Sequence, residues 1–261
     1  TVTTTFSPYR AGGYSTYFNG TNDYMTFPGQ TTSQGKFTIE AWVNLSVLRN
    51  YQLIYDNRTS GGTTSGYAFG VNVAGQPYLY MNGFQILSSI SIGINTWNHI
   101  ALVRNGTFSN ALQLYVNGVL AGTQTLSNVF DDFTQNGIGV ALTSIAGSQF
   151  FGYMSDLRIV NGVDVYTSNF TPPTEPLTAI AGTTLLTCQN NRFVDNSLNA
   201  TTLTVVGAPT FAPYRPYDHN PYDPAVNGGS VYFDGVGDYL SIPSNANLDF
   251  GTGDFTIECW V

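Results

Sequence analysis

The chain has 261 residues, 42% hydrophobic and 14% aromatic, enough apolar surface for a packed core, which excludes global disorder. Only 9% of residues are charged, with one lysine, Lys36, and a net charge of −8. That balance opposes nucleic acid and anionic membranes as partners, permits a hard divalent cation, and comes with no run of 18 apolar residues that could insert in a membrane.

Along the chain the apolar pattern has period two. The stretch YFNGTNDYMTF (17–27) reads as two short strands around a turn, with Asp23 placed to cap it. In FTIEAWV (37–43), Phe37, Ile39, Ala41 and Val43 point one way, while Thr38, Glu40 and Trp42 point the other. Residues 51–67 form a long Gly/Ser/Thr-rich hairpin loop carrying Tyr51, Asp56, Asn57, Arg58 and Tyr67. WNHIALVRN (97–105) alternates again, with His99 read as a hydrogen-bonded packing residue. LQLYVNGVLAG (112–122) is a hairpin whose Asn117-Gly118 pair suits a type I′ turn. Asn-Gly occurs seven times in all, and no window has helical periodicity, so an antiparallel all-β sandwich with almost no helix is expected. Asp131 and Asp132 are adjacent acids in the turn 128–137. The Pro-rich NFTPPTEPLTA (169–179) reads as the end of a module and a linker.

Three internal matches imply tandem modules. TFSPYR (5–10) returns as TFAPYR (210–215), YFNGTNDYMTF as YFDGVGDYLSI (232–242), and FTIEAWV as FTIECWV (255–261). The expected division is a module over 1–183 that lacks its front strand, and a truncated second module over 184–261. The stretch TTLLTCQ is expected either to complete the first module or to leave its own module pairing with a neighbouring chain. Cys188 and Cys259 are too few for a disulfide framework and read as buried free thiols, the alternative being that they pair across neighbouring strands of a complete module.

In this order, YFNGTNDYMTF, FTIEAWVNL, WNHIALVRNG, LQLYVNGVLAG and FFGYMSDLRIVNG resemble the laminin-G-like, concanavalin A-like jelly rolls. The stretches FFGYMSDLRIVNGVDVYTSNFTPPTEPL and LLTCQNNRFVDNS are similar to repeated modules of virion and tail-fibre-type proteins of tailed phages, particularly marine cyanophages. The resemblance implies a two-sheet antiparallel jelly roll whose rim or concave face binds glycans or proteins, sometimes through calcium. It therefore implies a non-catalytic structural or adhesion module, in a virion or extracellular, whose partners are a host-surface glycan and other copies of the same appendage. A secreted calcium-dependent lectin or adhesin domain is the alternative, and a polysaccharide hydrolase a minor one.

Candidate sites follow from those expectations. Tyr51, Asn57, Arg58, Tyr67, Asp131 and Asp132 are candidate glycan contacts, against the plainer reading of a long loop and an ordinary turn. By analogy with calcium-containing relatives, Asp23 and Asp156 are candidate ligands of a structural Ca2+, against an Asx turn and an arginine pair. Hydrolytic relatives carry Glu-x-Asp-x-x-Glu on one strand, and no strand here alternates acids. The only glutamates are Glu40, Glu175 and Glu258, and Glu40 is expected to pair with Arg104 or Arg158, so no enzyme is expected.

Overall fold

The alternating segments become strands in the computed structural model, which describes residues 2–3, 13–29, 35–58, 66–81, 84–106, 111–125, 135–143, 147–217, 230–231, 233, 235–248 and 250–259. In chain order these are β1 (Val2–Thr3), β2 (Ser15–Asn19), β3 (Tyr24–Pro28), β4 (Lys36–Leu45), β5 (Gln52–Asp56), β6 (Ala68–Val71), β7 (Pro77–Tyr80), β8 (Phe84–Leu87) and β9 (Asn98–Asn105). They continue as β10 (Leu112–Val116), β11 (Val119–Gln124), β12 (Gln135–Ile138), β13 (Phe151–Asn161), β14 (Thr183–Thr187), β15 (Thr204–Val206), β16 (Thr210–Ala212) and β17 (Ser230–Val231). A 3-10 turn at Ala246–Leu248 is the sole helical element among the described residues.

One compact unit spans Ala11–Asp218 and holds two antiparallel sheets. The eight-stranded sheet runs β11-β10-β9-β4-β13-β2-β16, with β14 also paired to β13. The seven-stranded sheet runs β15-β3-β12-β5-β6-β7-β8. Between them lies the core: Phe37, Ile39, Ala41, Val43 and Leu45 of β4, Ile100 and Leu102 of β9, and Phe69, Val71 and Leu79 from the opposite sheet. The alternation read in 37–43 and 97–105 is thus the division between the inner and outer faces of one sheet, and the architecture is the all-β jelly-roll sandwich expected.

Strand β13 organises the larger sheet. Along one side it pairs with β4, from Gly152↔Leu45 to Asn161↔Phe37. Along the other side, its first half takes β2 and its second half takes β14. Asp156, with φ of 53°, sits at the irregularity between the two halves. Strands β15 and β16 then add to β3 and β2, so residues 183–212 contribute to both sheets. The division expected at 183 falls inside this unit.

The Pro-rich segment is not a free linker. It crosses the outer face of the eight-stranded sheet, where Tyr166 and Phe170 stack on each other at 3.5 Å and cover Ala101, Val103 and Tyr115. Leu177 behind them is buried. Outer-face positions that look polar in a period-two pattern, Glu40 and His99 among them, are therefore interior.

The Asn117-Gly118 turn has both residues at positive φ, 49° and 77°, as a type I′ hairpin requires. Phe170 docks onto it, its amide donating to the Gly118 carbonyl at 2.9 Å. A Cβ at Gly118 would collide with the Phe170 carbonyl oxygen in addition to being strained. Gly118→Ala is expected to destabilise the protein by roughly 1–3 kcal/mol, read from urea denaturation midpoints. An unchanged midpoint would show that the covering segment docks without this turn.

A second unit comprises Thr1–Arg10 and His219–Val261. In it β1 and β17 pair as Val2↔Val231 and Thr3↔Ser230. The repeated heptad forms no strand over its described part, 255–259, and Phe255 and Ile257 are 62% and 74% exposed.

Candidate functional site

On the face of the seven-stranded sheet turned away from the core, Leu53 of β5, Ala68 of β6, Tyr78 of β7 and Ala141 form a small buried apolar floor, with Tyr80 packed beside them. Alternation places Tyr78 and Tyr80 on this same face. Above the floor opens a pocket of about 310 Å³, walled by Tyr51, Arg58, Tyr80, Thr143, Gly147 and Ser148. Tyr51 meets Tyr78 edge-on at 6.3 Å, and the Arg58 guanidinium lies 5.1 Å from the Tyr80 ring centre.

The position of Arg58 follows from Asp56, the last residue of β5. Its buried carboxylate accepts the Arg58 amide at 3.0 Å, the local reversal that short acidic side chains favour. It also accepts Arg58 Nε at 2.8 Å, Arg58 Nη2 at 3.2 Å and the Leu142 amide at 2.8 Å. The fork-to-fork pair fixes the guanidinium over Tyr80 and neutralises it. Burial pushes the Tyr78 phenol well above its ordinary value, with Arg58 partly opposing, so it stays a neutral hydroxyl.

Of the residues nominated from sequence, the structure brings Tyr51 and Arg58 together at this pocket. Tyr67 and Asn57 are corrections. Tyr67 is only 2% exposed and stacks on Phe37 at 5.9 Å inside the core, its phenol pushed up by burial. Asn57, also 2% exposed, clamps Tyr67 through its amide to the Tyr67 carbonyl and its side-chain oxygen to the Tyr67 amide. Both close the mouth of the β5–β6 loop from inside. Asp131 and Asp132 lie outside the described residues. Tyr78 and Tyr80 were not nominated, although the alternating Tyr-x-Tyr of PYLY (77–80) carried the signal.

The second polar constellation lies under the covering segment on the other sheet. Glu40 Oε1 accepts Arg158 Nη2 at 2.6 Å and Nε at 3.0 Å, while Oε2 accepts the Tyr166 hydroxyl at 2.7 Å and faces His99 Nε2 at 3.1 Å. A carboxylate only accepts, so Nε2 carries the proton. Burial raises the Glu40 carboxyl, but the His99 hydrogen bond and the Arg158 charge outweigh it and hold it below its ordinary value. Arg158 is thus the partner, as one of the two expected arginines; Arg104 Nε instead donates to the Gly106 carbonyl. With both oxygens engaged and buried, Glu40 has no lone pair directed at a substrate.

The two carboxylates nominated for calcium stand apart. Asp23 accepts the Asn19 amide at 3.1 Å and the Ala208 amide at 2.8 Å, tying the β2–β3 turn to the strand β15 exit. Asp156 accepts Ser155 Oγ at 2.6 Å, the Leu177 amide at 2.8 Å and Gln189 Nε2 at 2.8 Å, filling the break between β2 and β14. Among the described residues, neither is paired with an arginine. They share no partner, donors occupy their oxygens, and no group of three or more metal-binding side chains occurs among the described residues. The residues do not fit a shared calcium ion. EDTA is therefore expected to leave the thermal midpoint unchanged; a fall restored by added Ca2+ would place a cation in the fold.

Cys188 and Cys259 are free, Cys188 buried with its thiol pushed up to about 12 by burial, and Cys259 exposed. No helix among the described residues is long and apolar enough to cross a membrane.

Comparison with known proteins agrees with the architecture. A protein from Bacteroides ovatus, described as carbohydrate binding, superposes with a TM-score of 0.57 at 18% identity, over 77% of this chain and 60% of that one. Domain 4 of a GH43 extracellular arabinanase from Geobacillus stearothermophilus, solved with arabinotriose, gives 0.46 at 18% identity, over 58% and 72%. Mouse laminin alpha1 domains LG4-5 give 0.40 at 13% identity, over 63% and 48%. The chain thus spans about 60% of the length of the Bacteroides protein. No curated protein matches it. The family profile described as the concanavalin A-like lectin/glucanases superfamily matches residues 19–169, and the chain belongs to that superfamily.

Proposed function

We propose that this chain is a non-catalytic carbohydrate-binding module that attaches a repetitive appendage to a glycan-bearing surface. The observation that carries this is the pocket on the outer face of the seven-stranded sheet. It has an aromatic wall, a fixed guanidinium and hydroxyls from Thr143 and Ser148, in a volume at the lower end of the range for small-molecule sites. Aromatic faces meet the C–H face of a sugar, and planar or hydroxyl groups meet its hydroxyls. The description of the Bacteroides ovatus protein as carbohydrate binding supports the same reading. The non-catalytic reading is supported by Asp56, the acid beside the pocket, whose oxygens are committed to Arg58 and the Leu142 amide, and by Glu40, which is buried on the other sheet with both oxygens engaged.

A glycan array followed by calorimetric titration tests the proposal. Binding is expected, insensitive to EDTA, and weakened at least tenfold by Arg58→Ala. Binding that collapses on chelation would favour the calcium-dependent lectin, and turnover of a polysaccharide or an array without hits would overturn the module reading. The likeness of 150–197 to tail-fibre modules supports a place on a phage virion, and an antibody to this chain is expected to decorate phage particles. Label confined to a secreted fraction would move the module to a bacterial adhesin.

A further inference from the structure

Tyr51 is a backbone exception at the mouth of the pocket. Its φ is 58°, in the left-handed region where a β-carbon crowds the following carbonyl. Short polar residues tolerate that conformation and glycine adopts it freely, but a bulky aromatic one does so only when its surroundings impose it. The side chain gains little burial in return, since Tyr51 is 49% exposed. What the conformation does achieve is placement: the ring stands edge-on to Tyr78 at 6.3 Å and walls the pocket.

The charge of the pocket narrows what could lie against that ring. Among the described residues Arg58 is the one charged residue of the lining, and Asp56 neutralises it through two nitrogens, Nε and Nη2. The other described residues of the lining are uncharged. With a net charge of −8 on the chain, nothing at this site favours a sialic acid, a uronic acid or a sulfated sugar.

Resting on the carbohydrate-binding reading of this pocket, we infer that Tyr51 is held in its strained conformation to present its ring to a neutral hexose, making it the positioning residue of a site selective against anionic sugars. Strain at a half-exposed aromatic residue is retained because the ring is needed where it stands. Stability and binding must then respond to Tyr51 in opposite directions.

Three variants of the full chain test this: Tyr51→Phe, Tyr51→Ala and Tyr51→Gly. Alanine and glycine both remove the ring, but only glycine relieves the backbone. Tyr51→Gly is therefore expected to unfold at a higher urea concentration than Tyr51→Ala, despite the greater flexibility of glycine in the unfolded chain. In titrations with lactose, cellobiose, maltose and mannobiose, at least one disaccharide is expected to bind wild type and Tyr51→Phe equally. Binding should fall at least tenfold in Tyr51→Ala and Tyr51→Gly, and sialyllactose should bind no wild type. A Tyr51→Ala midpoint equal to or above that of Tyr51→Gly removes the strain and overturns the inference while leaving the module reading intact. Sugar binding unaffected by loss of the ring, or a preference for sialyllactose, also overturns the inference alone. Wild type that binds none of the probes overturns the module reading and the inference with it, whatever the midpoints.

Discussion

Glu40→Ala is expected to destabilise the sandwich by about 3–5 kcal/mol, with the urea midpoint falling and the slope unchanged. The magnitude comes from what the substitution leaves behind. Arg158 loses both bonds to Oε1 and keeps its contact to the Thr178 carbonyl, while His99 Nε2 and the Tyr166 hydroxyl lose their acceptor. His99 and Tyr166 are covered by Phe170 and Arg158 is buried, so water cannot replace the carboxylate without lifting the segment. Replacing both charged partners, as in Glu40→Met with Arg158→Met, should cost much less than Glu40→Ala alone, because no uncompensated charge remains. A double variant as unstable as the single one would show that packing, and not charge, sets the cost.

The same cluster sets a pH dependence of known sign. The folded Glu40 carboxyl lies below its ordinary value of 4.5, so its contribution is fully present above that pH and is lost as pH falls through the folded value. Asp156 has the opposite sign, since burial raises it above its ordinary 3.8 despite the donors around it; its contribution is lost as pH rises through its folded value. Glu40→Gln should accordingly flatten the acid limb of the stability curve. An acid limb as steep as that of wild type would assign it to other carboxylates.

Much of the fold was legible because its signals are local. Alternation in 37–43 places Ile39 and Glu40 on opposite faces whatever surrounds the strand, and Asn117-Gly118 has few other backbone options. Period two cannot tell a solvated outer face from a covered one. The Pro-rich segment has no period at all, so its packing over Tyr115 and His99 left no trace in the letters. The pocket was half legible: Tyr51 and Arg58 flank one short stretch that becomes β5, but Tyr78, Thr143 and Ser148 are joined to them only by the sheet. Asn57 and Tyr67 failed because residues at a strand exit turn inward as readily as outward. The heptad shows most directly what local pattern leaves out. FTIEA over 37–41 is a strand because β9 and β13 flank it, while FTIEC over 255–259 has no ladder partner among the described residues and forms none.

Truncating the chain after residue 182 is expected to abolish cooperative folding of the sandwich, the largest effect we predict. A chain ending at 182 loses β14 from the side of β13, β15 from β3 and β16 from β2, opening an edge in both sheets at once. It also loses Leu185, Leu186 and Cys188 from the interior, at roughly 1.5–3 kcal/mol for each leucine. Asp23 loses the Ala208 amide, Asp156 loses Gln189, and Asn44 loses the Tyr214 hydroxyl. Together these are comparable with the roughly 5–15 kcal/mol by which whole domains are stable. A chain ending at 217 keeps every one of these contacts and is expected to unfold in a single transition at the wild-type midpoint of the sandwich. Calorimetry and near-UV circular dichroism on the two truncations decide the matter. If the chain ending at 182 unfolds cooperatively near the wild-type temperature, β14 to β16 are an accessory and the module ends at 183. If only the longer one does, β14 to β16 belong to the sandwich, which closes after TFAPYR (210–215).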